Sequence, residues 1–115
     1  MLDLNWIRCG NDHHWCDLAR LNLDMDTFGV YVIWHEGNPG RVGRIGQGDI
    51  AERLATHRTD RTITQYASNG ALRVTWAAVP ASQTDGVERY LADHLDPLIG
   101  DAFPTADPIA VRLPW

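Results

Sequence analysis

The stretch Thr27-Phe-Gly-Val-Tyr-Val-Ile-Trp-His-Glu-Gly-Asn-Pro-Gly-Arg-Val-Gly-Arg-Ile-Gly-Gln-Gly48 decides the fold. Residues 28–34 are β-branched and aromatic, the composition of a strand that packs against neighbours. The cluster Glu36-Gly-Asn-Pro-Gly40 breaks that run, and residues 41–46 begin a second one, so a strand, a hairpin loop and a return strand are predicted.

The pattern extends outward from this hairpin. Gln47-Gly48 turns the chain and Asp49 is placed to cap a helix over 50–58, with Glu52 at the reciprocal capping position. In that helix Ile50 and Leu54 share an apolar face, while Arg53 and His57, also one turn apart, share another. Residues 59–70 are read mostly as loop, with a short turn at 63–66. Residues 72–79 form a third predicted strand, ended by Pro80, which has no N–H to continue a ladder. A second helix opens at Asp85, aligns Val87, Leu91 and Leu95 on one face, and stops at Pro97. The order β-β-α-β-α predicts an α+β domain over 27–98: a small sheet of about three strands, hairpin first, antiparallel or mixed, flanked by helices. Residues 1–26 are expected to be an N-terminal extension. Residues 99–115, with Pro104, Pro108 and Pro114, are expected to be an extended tail packed on the same domain.

Composition sets the outer limits. A chain of 115 residues, 44% hydrophobic and 22% charged, fits one globular domain with one core. Fifteen acids against ten basic residues, all arginine, give a net charge of -5, which excludes a bulk polycation. Phosphate binding would therefore rest on a local cluster. Residues 41–61 supply one, with five arginines against three acids. No run of apolar residues is long enough to span a bilayer, and the first residues lack the basic start and apolar core of a secretory signal. A cytoplasmic protein without membrane contact is expected. Cys9 and Cys16 are then read as thiols buried beside Trp6 and Trp15. Cys9, His13, His14 and Cys16 carry zinc-type donors, but Cys-x6-Cys is looser than structural-zinc spacings and no second ligand pair follows, which argues against zinc.

Gly29-Val30-Tyr31 on the first strand, Arg44-Ile45-Gly46 on the second, Arg53 and His57 on the next helix and Glu88 on the later one resemble the GIY-YIG nuclease family. The similarity covers residues 27–97. Arg44 stands where the family's second motif carries a tyrosine, so Tyr31 alone of the usual tyrosine pair is kept.

The resemblance implies metal-dependent endonuclease action on DNA and assigns roles, and a single small contact to phosphates predicts low sequence specificity. Tyr31, Arg53 and His57 would be catalytic: Tyr31 touches the attacking water, His57 relays its proton, and Arg53 holds phosphate oxygens as they gain charge. Arg44, Arg41 and Gln47 are candidates to bind substrate. Glu88 would be the one protein carboxylate on Mg²⁺ or Mn²⁺, an ion that keeps several waters. Taken alone, Tyr31 also fits a half-buried strand residue, Arg53 and His57 a solvated helix face, and Glu88 a favourable charge near a helix N-terminus. The alternative function is a catalytically inactive nucleic-acid-binding or protein-interaction module of the same fold. Oligomeric state is not set by the sequence.

Overall fold

The computed structural model describes residues 1–37, 40–100 and 103–115. Asn38 and Pro39 of the expected hairpin turn, and Asp101 and Ala102 of the tail, lie outside the described residues.

Strands β1 (Cys16–Asp17), β2 (Phe28–His35), β3 (Arg41–Asp49) and β4 (Leu72–Ala78) form one sheet in the order β1-β4-β2-β3, and every pairing is antiparallel. The sheet therefore has four strands where about three were expected. The additional one is the two-residue β1, too short to show a period in sequence, which pairs Cys16 with Val74 and Asp17 with Arg73. The expected hairpin is β2 and β3, with a register shift at Ile33/Trp34 that leaves Gly43 unpaired. Gly29 makes the centre of the sheet possible, because a Cβ there would stand 1.9 Å from the Ala77 carbonyl oxygen of β4.

Alternation along β2 sends side chains into two cores. Val30, Val32 and Trp34 join Val42, Ile45, Ala77 and the helix α3 (Thr84–Leu95) on one face. Tyr31 and Ile33 join Val74 and Trp76 on the other, under helix α1 (Ile50–Arg58). Asp49 caps α1 by accepting from the Glu52 N–H, and Ile50 and Leu54 are fully buried. The segment expected to be mostly loop instead contains helix α2 (Arg61–Thr64) and a 3-10 turn over Gln65–Ser68. Asp60 caps α2 through the Thr62 N–H, and only Ile63 is buried there, so the segment carries no helical stripe to read.

Residues 1–26 enter both cores, Leu4 and Trp6 on the α3 side, Cys16 and Leu18 on the α1 side. The tail pairs with the start of the chain: Leu2 donates to Ala110, Arg112 donates to Leu2, and Val111 is buried. The thiols expected at Cys9 and Cys16 are instead joined in a disulfide. Reduced thiols follow from the expected compartment, whereas the short hairpin 9–14, closed by paired Cys9 and His14 backbones, sets Cys16 beside Cys9.

Candidate active site

Tyr31 sits mid-β2 facing α1, directly opposite Gly46 of β3. Its hydroxyl lies 2.5 Å from Nε2 of His57 in the last turn of α1. Both residues are interior, Tyr31 at 0% and His57 at 3% exposure. Arg44 is the cross-strand partner of Ile33 and so projects from β3 toward the same face. Arg53, one turn before His57, approaches from α1.

These groups set the imidazole's charge. Burial, then the positive guanidinium groups of Arg44 and Arg53, push the His57 pKa down to about 4, with Asp60 pulling weakly the other way. His57 is therefore neutral at pH 7 and has one accepting nitrogen. Assigning the Tyr31 hydroxyl as the donor to Nε2 places the hydrogen on Nδ1. Among the described residues, Nδ1 is buried without a partner, and so are Nε of Arg44 and Nε of Arg53. Three unpartnered buried donors, two of them on permanent cations, are left around one helix face. Leaving such a donor unpaired costs about 1–3 kcal/mol, more on a charged group, so the arrangement favours an acceptor that carries negative charge.

Glu88 approaches from the opposite side. Gln47, the partner of Val30 in the ladder, projects toward α3, where its amide donates to Glu88 at 3.0 Å and to Asp85 at 2.7 Å. Burial raises the Glu88 pKa, and Asp85 adds to that, while the Gln47 hydrogen bond and the charges of Arg44 and Arg53 lower it. β3 is the outer strand of the sheet, with Leu98 and Ile99 donating to its Val42 and Gly43 carbonyls; beyond them its two faces meet along the edge, with the arginines on one side and Glu88 on the other. The sequence-derived set thus gathers Tyr31, Arg44, Arg53 and His57, and adjoins Gln47 and Glu88 across that edge.

Arg41 does not join them. It lies at the far end of β3, 4.0 Å from Asp96. Asp85 was not singled out from sequence, although it stands one turn before Glu88 on the same helix and shares the Gln47 amide. Among the described residues, no cluster of three or more His, Cys, Asp or Glu side chains stands ready to hold a metal. A divalent ion here would lean on Glu88, with Asp85 beside it, and on water. Mg²⁺ accepts such a sparse protein donor set, so the residues present fit that ion.

No family model matches the chain, and neither a curated protein nor a solved structure matches it. No helix is long and apolar enough to cross a membrane among the described residues.

Proposed function

We propose that the chain is an endonuclease-like domain that hydrolyses phosphodiester bonds in DNA with a divalent cation, as its resemblance to GIY-YIG nucleases implies. The observation that carries this reading is the set of unpartnered buried donors on Arg44, Arg53 and His57. A phosphate diester offers the negatively charged oxygens those donors lack.

Each residue then has a task. Arg53 and Arg44 grip phosphate oxygens and favour the extra charge of the transition state. The neutral His57 accepts the hydrogen bond from the Tyr31 hydroxyl and fixes the phenol's orientation, which a protonated imidazole could not do. Arg44, where the family's second motif carries a tyrosine, sets a cation on the Tyr31 face of the sheet. Gln47 holds the Glu88 carboxylate in place. A Mg²⁺ or Mn²⁺ ion on Glu88, with Asp85 adjacent, would supply charge neutralisation at the leaving oxygen. An intracellular site of action belongs to this proposal, and in a reducing cytosol the Cys9–Cys16 bond would be open.

A second reading is favoured by one observation: Tyr31 has no exposed surface and its hydroxyl is already engaged by His57. On that reading the domain binds phosphates through its arginines and does not cut. The two are separated by incubating supercoiled plasmid with Mg²⁺ and wild type, Arg53→Ala or Glu88→Ala, each checked for fold by circular dichroism. Nicking by wild type that drops about a hundredfold in both variants supports the nuclease. Binding without nicking supports the second reading. Equal nicking by all three would mean the residues do not act.

A further inference from the structure

Four of the five tryptophans gather away from Tyr31 and His57, at the end of the sheet where Arg41 lies. Trp15 meets Trp34 edge-on with centroids 5.4 Å apart, Trp115 lies 4.8 Å from Trp34 and 6.1 Å from Trp15, and Trp6 is fixed by its indole N–H donating to the Arg112 carbonyl at 2.7 Å. Two cavities, of about 660 and 440 Å³, adjoin there and share Trp15 and Trp115 as walls. Each falls within the range of small-ligand sites, roughly 300–1,000 Å³.

The charge of the walls identifies the chemistry. The first cavity carries Arg8 and Arg112, the second Arg41 and His94, and no Asp or Glu side chain lines either one among the described residues. In a chain with fifteen acids and ten arginines, that is a local reversal of sign. Arg8 already stacks 3.9 Å over the Trp15 ring, the geometry in which a guanidinium also reaches a neighbouring anion. Asp3, 3.0 Å from Arg112, and Asp96, 4.0 Å from Arg41, belong to neither wall and have side chains 78% and 97% exposed. The exposed Trp115 indole beside these arginines suits a ligand that is both planar and anionic, and the positive walls disfavour a cation. Arg41 carries the groove's positive charge onto the end of β3.

We propose that this groove binds single-stranded nucleic acid, with a base stacked on Trp115 and with Arg8, held against Trp15, and Arg41 on the backbone phosphates. Stacking reads the face every base shares, so binding is tolerant of sequence and needs the bases unpaired. The site does not depend on catalysis at Tyr31. Trp115, 56% exposed, is the residue whose truncation disturbs the core least.

The test is fluorescence anisotropy of a labelled oligothymidylate of about ten nucleotides, in chelator and at low salt, against the intact chain. The expected result is saturable binding, weakened about tenfold by Trp115→Ala and restored by Trp115→Phe. Arg8→Ala should lower the slope of log affinity against log salt by about one. Duplex of the same length binding as tightly as the single strand, or Trp115→Ala leaving affinity unchanged, would overturn the proposal. So would tighter binding of an acidic, aromatic-bearing peptide than of the oligonucleotide, which would make the groove a protein-docking surface.

Discussion

Gly46 faces the Tyr31 ring across the β2–β3 ladder, and a Cβ there would stand 2.2 Å from the phenolic oxygen. Since Tyr31 is fully enclosed, it cannot swing away, and Gly46→Ala is expected to cost about 2 kcal/mol in urea unfolding through overpacking. The same enclosure makes His57 pH-sensitive. Its folded pKa of about 4 lies below the unfolded value of 6.5, so the unfolded chain binds the extra proton between those values and stability falls as pH drops from 6.5 toward 4. Glu88 works in the opposite direction, because burial raises its folded pKa. The clean measurement is therefore the difference between wild type and His57→Gln across that window: wild type should lose on the order of 2 kcal/mol relative to the variant. Flat parallel curves would show that the imidazole is not held neutral by burial. The residue scale was partly legible in the sequence. Arg53 and His57 share a face because helical spacing says so, and Tyr31 was marked by its place in the strand. That its hydroxyl reaches His57, 26 positions on, depends on how α1 lies over the sheet. Arg41 stands apart because it lies at the hairpin end of β3, three residues and about 10 Å of extended strand from Arg44.

At the scale of elements, the hydrophobic pattern revealed β2, β3, β4, α1 and α3, each of which buries a continuous stripe or face. It missed β1 and α2, which together bury only Cys16 and Ile63 fully and are held by backbone pairing, a cap and a disulfide. A covalent bond enclosing so short a loop stabilises by about 2 kcal/mol through the unfolded chain. Reduction should accordingly lower the melting temperature by several degrees, read by differential scanning calorimetry with and without reductant, and Cys9→Ser should show no further loss on reduction. Helix α3 ends on Asp96 in the left-handed region at φ 46°, a conformation glycine adopts without cost. Asp96→Gly is expected to raise stability by about 0.5–1 kcal/mol, since its contact with Arg41 at 4.0 Å is exposed and weak.

For the molecule as a whole, the order of elements pointed to a small α+β unit, as found, but did not reveal that its two ends hold each other. Leu2 and Val111 pair and Trp6 donates to Arg112, contacts between residues more than a hundred positions apart, and Ile109 donates to Gly86 of α3, so the α3-side core is closed. No local period encodes such a contact. Charge follows the same logic: a net of -5 describes the surface on average, while the arginines that matter are concentrated along β3 and α1. That concentration is the basis of the central claim, that Arg44 and Arg53 present unpartnered Nε–H groups to a phosphate. The direct measurement is a titration of short DNA into the ¹⁵N-labelled protein, without divalent ions, following the arginine Nε–H resonances by NMR. The Arg44 and Arg53 signals, assigned by Arg→Lys variants, are expected to shift together and saturate. If both stay fixed while DNA binds elsewhere, or if no DNA binds, the phosphate site does not exist.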